Sequence, residues 1–210
     1  MTSAEKKLFS FLPCLPQAEP RIALILPGFG RKPTGKGYLA IGGFYQARGI
    51  APVYVAIDWR HTRIGNAAAV AERIGSAVRG SLPDVRVWLF GFSFGAAIAC
   101  KVSESLHCEQ VLLCSMSPVF AGDRRHLVFP FRQIMGLFAE SIDGCTYSPC
   151  GENTVFLYGD HDNFLFRKQL LAHRAEIFSA GRTVVVKGAR HNPSGASYRE
   201  AIRSIIGESS

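Results

Sequence analysis

The sequence predicts an α/β domain built on a mostly parallel, doubly wound sheet of about six strands with flanking helices. Short β-branched runs alternate along the chain with segments of helix length. Most of the runs are almost continuously apolar, as expected for strands that are buried on both faces of a parallel sheet. The chain has 210 residues, of which 48% are hydrophobic, so we expect one domain over residues 1–210.

The predicted strands are five or six residues long and cover 21–26, 52–57, 85–90, 110–114, 154–158 and 183–187. The segments between them are predicted helices and cover 36–46, 66–78, 94–105, 164–178 and 196–205. Right-handed crossovers between parallel strands place all the carboxyl ends of the strands on one edge of the sheet. The turns that follow the strands are therefore where we expect a functional site.

Residues 118–150 interrupt this alternation, and we interpret them as a small insertion within the domain. Pro130 is suited to the first turn of a helix whose apolar face would comprise Phe131, Ile134, Met135 and Phe138. The pattern is compatible with a lid over a pocket and equally with an ordinary helix that packs on the sheet.

The strongest local signal is the sequence Gly-Phe-Ser-Phe-Gly at residues 91–95. It follows a predicted strand and opens a predicted helix, so Ser93 lies at a tight turn that directs its hydroxyl away from the sheet. The flanking glycines avoid collisions where strand and helix approach each other. The amino end of the helix favours a developing anion at this position. Ser93 is therefore a candidate nucleophile.

A serine nucleophile needs a base, and His191 is the best placed of the six histidines. It lies in the turn after the last predicted strand, at the same sheet edge as Ser93. His107 and His173 fall near helix ends, and His61 and His126 lie in loops, so these are weaker candidates. The base in turn needs a carboxylate, and Asp160 and Asp162 both follow the predicted strand 154–158.

These motifs resemble those of the α/β-hydrolase superfamily over nearly the whole chain, from about residue 21 to 206. Residues 91–95 are similar to its nucleophile elbow, and residues 188–191 to its G-x-G-H turn, with Arg190 in place of a small residue. Residues 159–162 resemble its G-x-x-D turn, which implies that Asp162 is the acid. Asp160 remains the rival for this role, and its alternative interpretation is a turn residue that caps the following helix. The order Ser93, Asp162, His191 is that of the family.

The same resemblance extends to the first strand. Residues 27–30, Pro-Gly-Phe-Gly, are similar to the family's H-G-x-G oxyanion loop, with Pro27 in place of histidine. The backbone N–H groups of Phe29 and Phe94 would then be the oxyanion donors. The chain departs from the family in having too few residues before residue 21 for the usual two leading strands. The resemblance implies a catalytic triad without a metal or an organic cofactor.

Two alternative interpretations of these turns are disfavoured. Asp160, His161 and Asp162 are adjacent, so they cannot easily converge on one metal ion.

Residues 30–37 nearly match the phosphate-binding sequence G-x-x-x-x-G-K-[ST], but Gly37 replaces the hydroxyl residue that would bind magnesium. Pro33 also removes a backbone N–H from the loop. An NTPase would leave the order of Ser93, Asp162 and His191 unexplained.

The net charge of +8 permits acidic partners. Basic residues that follow strands are expected at the edge that bears Ser93; these are Arg31, Lys32, Lys36, Arg60, Arg63, Arg124, Arg125 and Arg190. Such a surface is similar to that of esterases acting on carrier-bound acyl chains. We expect a small-molecule or carrier-bound acyl substrate, with an acidic carrier protein as a candidate partner, and neither nucleic acid nor stable membrane insertion. Scattered, solvated charges are the alternative.

The six cysteines contain no C-x-x-C pair, which favours free thiols in a reducing cytoplasm. Lys6 and Lys7 precede a short apolar run at residues 8–12 that faintly resembles a signal peptide, but Pro13 and Pro16 interrupt its end. The sequence therefore predicts a cytoplasmic serine hydrolase that acts on a carboxylic ester or thioester. A non-catalytic ligand-binding protein on the same fold is the alternative.

Overall fold

A seven-stranded sheet forms the centre of the computed structural model, which describes residues 9–15, 20–59, 67–116, 151–162 and 180–208. The strands are β1 Phe9–Leu12, β2 Arg21–Leu26, β3 Ala51–Ile57, β4 Arg86–Phe92, β5 Cys108–Cys114, β6 Thr154–Gly159 and β7 Arg182–Val186. The described helices are α1 Lys36–Gln46, α2 Ala67–Ser81, α3 Phe94–Ser103 and α4 Ala196–Glu208.

The strands are arranged in the order β1-β3-β2-β4-β5-β6-β7. All neighbouring pairs are parallel except β1 and β3, which are antiparallel. The chain passes from β2 to one side to form β3 and then to the other side to form β4. The strand order therefore reverses between β2 and β4, and a crevice for ligands forms outside the carboxyl ends of strands at such a point.

Strands β2, β4, β5 and β6 are buried on both faces, which explains their continuous apolar character. Along β2, Ile22, Leu24 and Leu26 pack on one face, and Ala23 and Ile25 pack on the other. The first face is covered by α2 and α3 through Val70, Ile74, Val78, Ala99 and Val102. The second face is covered by α1 and α4 through Ile41, Tyr45, Tyr198, Ile202 and Ile206.

The predicted fold class is confirmed, and each described strand or helix lies within a few residues of its predicted position. Strand β1 is the exception, because the sequence predicted about six strands and no strand in this segment. Its residues Phe9 and Leu12 pair with Ile57 and Tyr54 of β3, and the rings of Phe9 and Phe11 pack against the core. The predicted helix 164–178 and the predicted insertion 118–150 lie outside the described residues.

Candidate active site

The candidate site lies at the carboxyl edge of the sheet, where the strand order reverses. Ser93 directly follows β4, and the loop of residues 27–30 follows β2, its neighbour in the sheet. Asp162 and His191 lie in the turns after β6 and β7. The site therefore combines turns from the middle and from one side of the sheet.

Ser93 occupies a sharp turn between β4 and α3. Its backbone has φ 56° and ψ −121°, in the region that L-residues rarely adopt, and its N–H donates to the Cys114 carbonyl over 2.9 Å. A Cβ on Gly91 would lie 2.5 Å from Ala96 Cα, and a Cβ on Gly95 would lie 2.3 Å from the Pro27 carbonyl oxygen. Only glycine fits at these two positions, so the sequence around Ser93 is dictated by the close approach of strand, helix and neighbouring loop.

The structure brings the side chains of Ser93, His191 and Asp162 together in a line. His191 Nε2 lies 3.0 Å from Ser93 Oγ, and His191 Nδ1 lies 2.7 Å from Asp162 Oδ1. The Asp162 side chain is 5% exposed and that of His191 is 32% exposed. The ring of Phe92 packs against the imidazole with the centroids 4.8 Å apart. This arrangement allows a proton to pass from the hydroxyl to the imidazole while a buried carboxylate fixes the ring.

Asp160, the other candidate for the acid, has a different position. Its Oδ1 accepts a hydrogen bond of 2.7 Å from the Gly188 N–H. Gly188 has a φ of 69° and belongs to the turn that carries His191. The His161 N–H donates to the Ala189 carbonyl over 3.1 Å and joins the same two turns. Asp160 therefore stabilises the turn that carries the histidine, whereas Asp162 contacts the imidazole itself.

The loop after β2 lies directly against the turn that carries Ser93. A Cβ on Gly28 would be 3.3 Å from Ser93 Cβ. The Gly28 N–H donates to the hydroxyl of Tyr38 over 3.0 Å, and the Arg31 N–H donates to the Gly28 carbonyl over 3.0 Å. Burial raises the pKa of Tyr38, so the phenol stays protonated and neutral. Tyr38 thus fixes this loop by accepting the hydrogen bond of the Gly28 N–H.

The rings of the two residues that were predicted to supply oxyanion donors contact each other, and one of them also contacts Trp59. The ring of Phe29 is 40% exposed and makes edge contacts with Trp59 and Phe94, at centroid distances of 5.5 Å and 5.9 Å. Phe94 is the first residue of α3 and follows Ser93 directly. These rings give the site an apolar wall, and Trp59 was not among the residues predicted from the sequence.

Two further polar residues near Asp162 were also missed. The hydroxyl of Ser115 donates to Asp162 Oδ2, and the same hydroxyl contacts that of Tyr198. Ser115 directly follows β5, so the rule that selected Ser93 and His191 also applies to it. Tyr198 belongs to the buried face of α4, and its pattern in the sequence indicates only a core residue.

The predicted basic residues are only partly within the described chain. Arg31, Lys32, Lys36 and Arg190 are exposed in segments that follow β2 and β7. The basic residues Arg60, Arg63, Arg124 and Arg125 lie outside the described residues, as does the apolar face of the predicted lid helix.

Within the described ranges, no group of His, Cys, Asp and Glu side chains could hold a metal ion. None of the described helices is long and apolar enough to cross a membrane.

Comparison with known proteins identifies the fold. No protein-family model matches the chain, and no curated protein matches it in sequence. Among solved structures, Est1E from Butyrivibrio proteoclasticus is similar over 96% of this chain and 92% of its own, with 14% identity and a TM-score of 0.69. Mouse α/β-hydrolase domain-containing protein 10 is similar over 98% of this chain and 95% of its own, with 13% identity and a TM-score of 0.68.

A serine hydrolase without a lid from Xanthomonas campestris is also similar, over 91% of this chain and 81% of its own, with 14% identity and a TM-score of 0.64. The similarity to these structures extends over nearly the whole chain, and it agrees with the strand order and with the sharp turn at Ser93. The chain therefore has the α/β-hydrolase fold.

Proposed function

We propose that the protein is a serine hydrolase that cleaves a carboxylic ester or thioester through an acyl-Ser93 intermediate. The observation that carries this proposal is the line of contacts from Ser93 Oγ to His191 Nε2 and from His191 Nδ1 to Asp162 Oδ1. Solved structures with this fold include serine hydrolases and a dienelactone hydrolase, which supports hydrolysis as the activity.

The first half of the proposed reaction forms the acyl-enzyme. His191 Nε2 takes the hydroxyl proton of Ser93 as Oγ attacks the carbonyl carbon, which gives a tetrahedral oxyanion. The backbone N–H groups of Phe29 and Phe94 are the proposed donors to this oxyanion, and one such donor contributes about 3–4 kcal/mol in other serine hydrolases. The imidazolium then protonates the leaving alcohol or thiol as its bond to the carbonyl carbon breaks.

The second half of the reaction releases the acid. Water gives a proton to His191 as its oxygen attacks the acyl carbon, and the second tetrahedral intermediate collapses with return of that proton to Ser93 Oγ. In both halves Asp162 keeps the proton of the neutral ring on Nδ1, so that Nε2 is free to accept one. Because Asp162 is buried beside the ring, its charge also stabilises the imidazolium that forms transiently.

A fluorophosphonate probe tests this proposal without knowledge of the substrate. We expect the native protein to form one covalent adduct, which peptide mass spectrometry should locate on Ser93. Ser103 is the matched control, because it lies on the same helix and its hydroxyl donates to the Cys100 carbonyl. The Ser103→Ala variant should be labelled like the native protein and the Ser93→Ala variant should not be.

A folded native protein that remains unlabelled would favour the alternative of a non-catalytic ligand-binding protein. If labelling succeeds, a panel of esters and thioesters with graded acyl length should identify the substrate class. The exposed ring of Phe29 and its contact with Trp59 support an apolar acyl or alcohol group beside Ser93.

An acyl group on an acidic carrier protein or on coenzyme A is a second candidate substrate. The exposed side chains of Arg31, Lys32, Lys36 and Arg190 follow the strands whose ends adjoin the site, and they support attraction of an anionic substrate. At physiological salt such attraction acts over a Debye length of about 8–10 Å, so it should weaken as salt rises.

We therefore expect kcat/KM for an acyl-carrier-protein ester to fall steeply with salt, while kcat/KM for a neutral ester of the same acyl chain stays nearly constant. The Lys32→Glu/Lys36→Glu variant should lower kcat/KM for the carrier substrate and spare the neutral ester. Arg73→Glu/Arg203→Glu makes the same change of charge on the exposed faces of α2 and α4 and serves as the control. Equal salt dependence for the two substrates would leave a hydrolase of small neutral esters.

A further inference from the structure

Two buried hydroxyl groups, those of Ser115 and Tyr198, form a hydrogen-bonded chain that ends on Asp162 Oδ2, whereas His191 contacts Oδ1. We propose that Ser115 and Tyr198 are positioning residues that orient the Asp162 carboxylate, and through it the imidazole of His191, by a directional chain of hydrogen bonds. The kinetic part of this inference rests on the serine hydrolase function proposed above.

The two oxygens of Asp162 have different partners. Oδ1 lies 2.7 Å from His191 Nδ1, and Oδ2 accepts a hydrogen bond from the Ser115 hydroxyl. A carboxylate that is held at both oxygens cannot rotate about its Cβ–Cγ bond without breaking one of the two hydrogen bonds. The Ser115 hydroxyl therefore fixes the plane in which Oδ1 meets the imidazole.

The donor and acceptor in each of these hydrogen bonds follow from the number of protons that each group carries. An ionised carboxylate only accepts hydrogen bonds, and a serine hydroxyl has one proton, so the proton of Ser115 points to Asp162. In the contact between Ser115 and Tyr198, the donor must then be Tyr198. The Tyr198 hydroxyl also donates to the Leu157 carbonyl over 3.3 Å, so its one proton is shared between the nearer oxygen of Ser115 and this longer contact. Burial raises the pKa of Tyr198, which keeps its phenol protonated and able to donate.

The backbone of Ser115 supports a role for its side chain. Its φ is 44°, in the left-handed region where glycine has the lowest cost. The N–H of Ser115 donates to the Leu157 carbonyl over 2.7 Å, so this turn continues the pairing of β5 with β6. Glycine would meet the backbone requirement at this position with less strain but would lack the hydroxyl. Residues in such conformations are concentrated at functional sites, where the surrounding structure maintains them.

All members of this chain are buried. Ser115 is 3% exposed, Asp162 is 9% exposed and Tyr198 is fully buried. Hydrogen bonds that follow one another with the same polarity strengthen each other in such an environment. Tyr198 thus polarises Ser115, and Ser115 stabilises the negative charge of Asp162. None of these groups is expected to contact the substrate, so their removal should lower kcat and leave KM unchanged.

Hydroxyl-deletion variants test the chain. We expect Ser115→Ala to lower kcat by about tenfold or more and Tyr198→Phe by a smaller factor of about three, each measured per active site titrated with a fluorophosphonate. Tyr45→Phe is the matched control, because Tyr45 is fully buried in the same core and its hydroxyl has no hydrogen-bond partner among the described residues. Tyr45→Phe should leave kcat unchanged. If Ser115→Ala fails to fold, Ser115→Gly removes the hydroxyl at a backbone geometry that glycine tolerates.

A second measurement does not depend on activity. The His191 Nδ1–H bonded to Asp162 should give a far-downfield proton NMR signal, and Tyr198→Phe and Ser115→Gly should move it while Tyr45→Phe should not. If the native protein is labelled by the probe, but Tyr198→Phe has the same kcat and the same NMR signal as Tyr45→Phe, the hydroxyl groups of Ser115 and Tyr198 have no positioning role. The proposed hydrolase function would still stand. An unlabelled native protein would overturn the function, and the NMR signal alone would then decide whether the chain orients Asp162 and His191.

Discussion

Replacement of Ser93 by alanine is expected to lower kcat for any ester substrate by about a thousandfold or more, with little change in the free energy of unfolding. Ser93 Oγ is the atom that would form the bond to the acyl group, and alanine has no atom that can replace it. The free energy of unfolding should change little, because the variant removes only one oxygen atom. The conformation of the turn depends on the hydrogen bond of the Ser93 N–H and on the glycines on either side, which the variant keeps.

The measurement is steady-state hydrolysis of a chromogenic ester together with urea denaturation. A Ser93→Ala/His191→Ala double variant should be hardly less active than either single variant, because the two side chains act on the same step. Ser103→Ala provides the control for loss of a serine hydroxyl on α3. Activity near the native level in Ser93→Ala, after purification from an expression host without background esterase, would contradict the proposed mechanism.

Replacement of Asp162 by asparagine is expected to lower kcat by about ten-thousandfold, whereas Asp160→Asn should have little effect. The hydroxyl of Ser115 donates toward residue 162, so the amide oxygen of an asparagine would face Ser115 and its NH₂ group would face His191. The imidazole would then accept at Nδ1 and carry its proton on Nε2. In that tautomer His191 cannot take the proton of Ser93.

Asp160→Asn is an unusually close control for this experiment. Its side chain accepts a hydrogen bond from the Gly188 N–H, and an asparagine oxygen accepts the same bond. The two variants therefore differ in their position relative to His191 and hardly in their chemistry. A larger loss of kcat in Asp160→Asn than in Asp162→Asn would assign the acid to residue 160.

The sequence predicted the elements whose identity depends on local pattern. The strands at the centre of the sheet are buried on both faces, so each is a continuous apolar run that stands out from the helices around it. The turn at Ser93 was predictable because close approach of backbone segments requires glycine at residues 91 and 95. Phe9–Leu12 was not predicted as a strand, because a four-residue edge strand owes its structure to its antiparallel partner β3, which is distant in sequence.

The site was predictable to a different extent for each residue. His191 and Asp162 follow strands, and the rule that parallel strands end on one edge brings their turns together without knowledge of the side-chain contacts. Ser115 obeys the same rule, but a serine next to a strand is common and its partner was unknown. Tyr198 required the structure, since only the packing of α4 on the sheet places its hydroxyl beside Ser115.

The proposed nucleophile and base are 98 residues apart in the chain, and the acid lies 29 residues before the base. A growing polypeptide therefore contains Ser93 long before it contains β7 and the turn that carries His191. Contacts between segments so distant in sequence form slowly, because the entropy of loop closure opposes them. On the proposed function, esterase activity during refolding should appear together with the pairing of β6 and β7, and the incomplete chain should be unable to hydrolyse esters although its nucleophile is already present.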